Sequence, residues 1–248
     1  MGVTIHYSLR LDTRSTAKAE RTVRALHASI TRFAARRGLG APGPIRPLTA
    51  GAPHAERYVA VRGRQLEPRL LWVAPLEGWR FTVEIGEGCE TATFGLARYP
   101  AFVADGPRRR RTGFGGAWTF QSFCKTQYAG QLGPEHLLHC HRAVIDLILL
   151  WKKAGVEVTI SDEGEYWPGR DPHVLLRRVK ALDQFVAALA GALKDASEEA
   201  GGPPVLSPIF EHPQFERLEA EGVAEHGPMI DQVRAALDEL TPKPPGER

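Results

Sequence analysis

Residues 118 to 171 constrain the fold more than any other stretch of the chain. The run Trp118-Thr119-Phe120-Gln121-Ser122-Phe123 alternates apolar and polar side chains and leads into Lys125-Thr126-Gln127-Tyr128. Leu137, Cys140, Val144, Ile148 and Trp151 then recur at helical spacing, with Pro134 suited to the first turn and Gly155 to the stop. Val156, Val158 and Ile160 alternate again before Asp162-Glu163-Gly164-Glu165-Tyr166-Trp167. Strand, helix, strand is a crossover, and crossovers are right-handed and join parallel strands. Parallel strands end on one edge of a sheet. The pattern therefore predicts one rim built from Lys125, Gln127, Tyr128, Asp162, Glu163, Glu165, Tyr166 and Trp167, with Lys125 near a carboxylate.

Upstream, Val3, Ile5, Tyr7, Leu9 and Leu11 alternate with polar residues as a half-buried strand. Thr13 or Ser15 caps a helix running to Arg37, with Ala19, Val23, Leu26, Ile30 and Phe33 on its core face. Residues 38–54 read as a surface loop. Strands follow at Tyr58–Val61, Leu70–Ala74, Trp79–Ile85 and Thr91–Tyr99, with Pro75–Gly78 as a hairpin turn, and Asp105–Gly116 reads as a second loop. Asp171-Pro172 starts another helix. This order is α+β: a mixed sheet packed by helices, approaching a ferredoxin-like split arrangement if two of the middle strands join the central sheet. Three strands carry one polar side each (His6 and Arg10; Thr82 and Glu84; Glu157 and Thr159), the mark of a wet sheet face or a groove floor.

The Gly201-Gly202-Pro203-Pro204 step divides a core domain, 1–200, from a C-terminal extension, 201–248. The extension is expected to be irregular over 205–225, helical from Pro228 to Leu240 and disordered over its last eight residues. Its apolar stripe is expected to pack in cis, and truncation at Gly202 to leave a cooperative fold.

With 248 residues, 43% of them hydrophobic, the chain can bury a substantial core. A net charge of +3 does not by itself imply nucleic acid. Arg108-Arg109-Arg110-Arg111 reads as a solvated loop, with a polyanion contact as the minority reading. Three scattered cysteines make no disulfide scaffold, no apolar run is long enough to span a membrane, and the opening residues show no signal-peptide pattern. The expectation is a soluble, cytoplasmic, reduced protein.

Met1-Gly2-Val3-Thr4-Ile5-His6-Tyr7, Lys125-Thr126-Gln127-Tyr128-Ala129 and the Asp162–Trp167 run resemble, in the same order, motifs of an uncharacterised family of bacterial proteins. Glu135 and the Gly169-Arg170-Asp171 step are similar too. The resemblance covers the first twelve residues and about 118 to 185. It implies no activity, only that the two polar clusters belong together.

Asp162, Glu163 and Glu165 have the chemistry to hold Mg²⁺ or act as acid and base, with Lys125 stabilising an anion. The bland alternative is a polar turn with a surface ion pair. Tyr166 and Trp167 either cover the core edge or form a stacking platform. Gln121 and Phe123 before Lys125 leave no nuclease-type Glu-x-Lys spacing. His136, His139, Cys140 and His141 crowd one helix but diverge around it, which argues against zinc, and Cys140 falls on the apolar stripe. Cys124 beside Lys125 invites a nucleophile reading, yet alternation points it to the core. No Ser-His-Asp spacing, Walker loop or dinucleotide fingerprint is present, and no cofactor is expected. The leading reading is a binding or regulatory module whose ligand or partner meets the rim. The alternatives are a metal-assisted hydrolase or nuclease using Asp162, Glu163, Glu165 and Lys125, and an accessory subunit contacting a partner protein.

Overall fold

The computed structural model describes residues 3–61 and 69–240. Met1 and Gly2, cited in the resemblance, and the last eight residues, expected to be disordered, lie outside that range. The chain forms two compact units, residues 3–170 and residues 171–240. The division falls at Arg170–Asp171, earlier than the Gly201–Pro204 step that composition suggested.

The first unit is an α+β fold, as expected. Its order is β1 (Thr4–Leu11), α1 (Thr16–Arg37), β2 (Arg46–Pro47), β3 (Arg57–Val61), β4 (Arg69–Val73), β5 (Glu77–Val83), β6 (Ala92–Arg98), β7 (Phe102–Asp105), β8 (Arg108–Arg111), β9 (Trp118–Lys125), a 3-10 turn (Gln127–Leu132), α2 (Pro134–Lys153) and β10 (Glu157–Asp162). Six strands make one antiparallel sheet in the order β10-β1-β9-β6-β5-β2. The crossover β9–α2–β10 is split: both strands run the same way, with β1 antiparallel between them. Of the four middle strands expected, two, β5 and β6, join this sheet, and β5 and β2 extend it beyond β6.

Local chemistry sets the helix limits. Ser15 caps α1 by accepting from the Lys18 amide, and Gly38, at φ +68°, ends it with its N–H on Ala34. Ala19, Val23, Leu26, Ile30 and Ala34 form its buried stripe, Ala34 taking the place expected for Phe33. On α2 the stripe includes Leu137, Val144, Ile148 and Trp151. Trp151 stacks against Phe81 and Phe94, and Tyr7 stacks on Phe94. Each such fully buried side chain contributes about 1.5–3 kcal/mol, so one sheet face is committed to the helices.

Two sequence expectations need correction. Pro75–Gly78 is no hairpin turn: β4 pairs with β3 in a separate two-stranded sheet, while Leu76 already donates to the Arg98 carbonyl and β5 pairs with β6. The arginine run is no loop either. It is strand β8, antiparallel to β7 and turned at Gly106, φ +59°. The Asp105 carboxylate bonds Arg110 at 2.8 Å and also Arg69, holding the cationic strand in place.

The second unit contains α3 (Pro172–Glu199), a 3-10 turn (Pro208–Glu211) and α4 (Phe215–Leu240). The C-terminal helix therefore begins well before Pro228, which lies inside it. Small residues explain the continuation. A Cβ on Gly222 would collide with the Gln184 backbone carbonyl, and Ala187, Ala188, Gly191 and Ala192 line the buried side of α3. Ile209 and Leu218 bury on Ala187 and Ala190, and Ile230 on Ala188 and Ala192. Packing along this seam outweighs the helix-breaking tendency of a single proline. Among the described residues no helix is long and apolar enough to cross a membrane.

Candidate functional site

The split crossover brings both polar clusters to one edge of the sheet. Lys125 pairs with Thr4 and Asp162 with Ile5, so β1 separates them by two strand spacings, about 10 Å. Alternation then sends them to opposite faces: Asp162 joins Ile5 on the helix side, and Lys125 joins Thr4 on the open side.

Under the edge lies a buried polar chain. The Thr126 hydroxyl is 2.8 Å from His141 Nδ1, and His141 Nε2 is 3.1 Å from Asp162 Oδ2. An ionised carboxylate only accepts, so Nε2 donates to Asp162, and Nδ1 shares the other hydrogen bond with the Thr126 hydroxyl. Asp162 also receives the Gly164 amide at 2.8 Å and the Trp167 amide at 2.9 Å. Burial alone would raise the Asp162 pKa, but bonding to His141 and to these two amides outweighs it and holds the carboxyl below its ordinary value. Tyr166 closes the chain edge-on against His141, with the Arg142 and Arg170 guanidiniums over its ring, and Arg170 is tied to Asp146 at 2.6 Å. The connectivity is that of a hydroxyl–imidazole–carboxylate triad. Thr126 and the His141 and Asp162 side chains are wholly buried, however, so no substrate reaches the hydroxyl in this structure. The chain ties the ends of β9 and β10 to α2. His141 lies four residues after Leu137 and three before Val144, so a histidine on the apolar stripe was the signal available for it.

The predicted rim residues therefore separate. Asp162, Gln127 and Tyr166 are buried. Trp167 is half-buried and its amide serves Asp162. Lys125 lies over the Tyr128 ring at 5.0 Å, and its amide donates to Glu90. Glu165 is exposed, in a turn at φ +55°. Glu163 turns to the open face, where it meets His6 Nε2 at 3.3 Å and accepts from the Thr4 amide at 3.1 Å.

That face carries a groove of about 330 Å³. Cross-strand register orders its floor: Ser161, His6 and Phe123 form one row, and Thr159, Ser8 and Gln121 the next. The backbone of Tyr7 and Ser122, whose side chains turn to the helix side, lies between these rows, and His54 joins from the Gly/Pro loop. None of the nine described lining residues is Lys, Arg, Asp or Glu. Phe123 is 43% exposed, and His54 stands edge-on to it at 5.7 Å. His54 holds φ +60°, a costly conformation for a side-chain-bearing residue. Burial first, and Arg80 second, lower its pKa, favouring the neutral ring. The Tyr7 hydroxyl donates to the Thr93 carbonyl at 2.6 Å, and burial pushes its pKa up. The alternating polar residues of the first and last strands had indicated this floor; His54, brought in by a loop, had left no periodic signal.

On α2 the four crowded side chains diverge. His141 joins the buried chain, His139 is exposed, and His136 donates to the Glu87 carbonyl at 2.9 Å beside Cys140. Among the described residues no group of three or more His, Cys, Asp or Glu is disposed to hold a metal ion. Cys124 is buried and its thiol donates to the Glu90 carbonyl, while desolvation drives its pKa up, the state of an inert thiol. Compared with models of protein families, with curated proteins and with solved structures, the chain matches none.

Proposed function

We propose that the protein is a binding module for a small, uncharged, hydroxyl-bearing ring compound, held in the groove on the open face of the sheet. The observation that carries this reading is the composition of the floor. Ser8, Thr159, Ser161 and Gln121 offer neutral donors and acceptors, and the exposed Phe123 ring offers a stacking surface. A charged ligand would find no fixed opposite charge among the described lining residues. Glu163, paired with His6, stands at one end of the groove, and the Arg10–Glu157 pair stands in the row beyond Ser8 and Thr159 at the other. The ligand-binding rim suggested by the sequence thus moves off the strand ends and onto the adjoining sheet face. The resemblance to an uncharacterised bacterial family and a cytoplasmic setting belong to the same reading, the latter supported by three unpaired cysteines.

The hydrolase reading has less support, because Asp162 spends both oxygens on internal bonds. A partner-binding reading draws on another feature: Tyr58 and Trp72 face each other across β3 and β4, 57% and 60% exposed. The test is a panel of neutral monosaccharides and nucleosides titrated into the full-length protein. Binding lost in Phe123→Ala and retained in Trp72→Ala supports the groove. Absence of binding across the panel, or loss only in Trp72→Ala, overturns it.

A further inference from the structure

We propose that a cavity between β2 and β5, at the sheet edge away from the groove strands, binds a small phosphate-bearing anion on Arg46, Arg80 and Thr82. The cavity has a volume of about 250 Å³ and is lined by Pro44, Arg46, Arg80, Phe81 and Thr82. Phe81 turns its ring to the helix side, where it stacks with Trp151. By alternation its neighbours Arg80 and Thr82 project from the open face, and Phe81 contributes backbone between them. Arg46 stands directly opposite Arg80 across the β2–β5 pair and so shares that face.

Like charges placed directly opposite on neighbouring strands repel each other. Nothing among the described residues offsets this pair. Arg80 Nε is buried with no hydrogen-bond partner there, and a buried donor without an acceptor is costly. Arg57 and Arg142 also have a buried Nε without a partner, but each guanidinium lies over a ring, Tyr99 at 5.6 Å and Tyr166 at 5.9 Å, whereas Arg80 has no such ring among the described residues. The other cross-strand neighbour of Arg80 is Gly95, which has no side chain to offer. Glu77, earlier on β5, is taken by Arg98. Glu84 lies four residues beyond Arg80, about 13 Å along an extended chain. Gly43, whose amide donates to the Thr82 carbonyl at 2.9 Å, keeps the third donor clear: a Cβ there would stand 2.9 Å from the Thr82 hydroxyl.

The donor set selects among anions. Each guanidinium presents a planar fork of N–H groups, and the two oxygens of a carboxylate fill only one fork. A tetrahedral phosphate has oxygens for both forks and for the Thr82 hydroxyl, and its charge, close to two at neutral pH, offsets both arginines. Pockets for drug-sized ligands run to roughly 300–1,000 Å³, so this cavity suits a phosphate with at most a small substituent. Arg46 is exposed, which leaves the site open to solvent. None of the five lining residues belongs to the groove, and β6 lies between the two sets of strands. The anion site therefore stands or falls independently of the neutral ligand.

The test uses full-length protein in phosphate-free buffer at about 0.15 M chloride. Backbone amide shifts are followed by NMR as inorganic phosphate, glycerol phosphate or acetate is added. Saturable binding of a phosphate with a Kd below about 1 mM is expected, with shifts centred on Arg46, Arg80 and Thr82. Tighter binding of glycerol phosphate assigns the site to an organic monoester, and tighter binding of inorganic phosphate assigns it to the free ion; both support it. Arg46→Gln and Arg80→Gln should each weaken binding by roughly tenfold or more, the loss expected for hydrogen bonds to a charged group. Arg46→Lys, which keeps the charge and loses the fork, should fall between wild type and Arg46→Gln. Because Arg46 is exposed on an edge strand, its variants test the site even where Arg80→Gln does not fold. Acetate binding as tightly as phosphate, an affinity unchanged in either folded glutamine variant, or no saturable shift at Arg46, Arg80 and Thr82 overturns the proposal.

Discussion

At the scale of single residues, Asp162 is the carboxylate on which most depends. It sits at a strand end among polar neighbours, where a solvent-facing acid or metal ligand would also sit. Its burial came from a partner on another element, His141, which no strand pattern reveals. Asp162→Ala leaves His141 and two amides without their acceptor and should cost about 3–5 kcal/mol in urea unfolding at pH 7. The sign with pH follows from the lowered pKa of the folded state. The stabilisation is present above the unfolded value, near 3.9, and is lost as pH falls through the folded one. The gap between wild type and variant should therefore narrow below about pH 4. An equal gap at pH 7 and in acid, or a variant as stable as wild type, would contradict this assignment.

At the scale of elements, period-2 and helical patterns were legible wherever one face is buried. The alternation at residues 3–11 and 118–125 marked β1 and β9, and the stripe from Leu137 marked α2. Pairing was not legible. Nothing local in Leu70–Ala74 says that it pairs with Arg57–Val61 rather than with β5, and nothing in four arginines says that Asp105 holds them as a strand. The unbroken α4 was hidden for a related reason. Glycine is read as a breaker, but Gly222 allows close contact with the Gln184 backbone. Helix propensity favours alanine over glycine by about 1 kcal/mol, whereas a forced contact costs about 1–3 kcal/mol. Gly222→Ala should therefore lower the thermal midpoint. Gly227→Ala, where a Cβ meets nothing within 4 Å, should leave it unchanged or raise it. Stabilisation by Gly222→Ala would mean that the helix seam is looser than described.

At the scale of the whole molecule, the two units each have buried residues of their own, and α3 groups with α4. The composition break at Gly201–Pro204 lies in the connection between those helices, so it marked a turn and not a domain boundary. A chain ending at Arg170 should unfold cooperatively, because the six-stranded sheet, α1 and α2 remain complete. A chain ending at Gly202 should lose more helical signal than α4 alone contributes, since the small-residue side of α3 then loses its cover. Circular dichroism and thermal melts of both truncations check this. Survival of the full α3 signal in the second chain would restore the later boundary.

The groove is the central claim, and residue-resolved NMR of the full-length protein tests it most directly. Neutral monosaccharides and nucleosides are added one at a time while backbone amide shifts are followed. Saturable shifts concentrated at His6, Ser8, Gln121, Phe123, Thr159 and Ser161 are expected, absent in a folded Phe123→Ala variant. Shifts centred on Tyr58 and Trp72 or on Lys125 and Glu165, or no saturable shift with any compound, would contradict it.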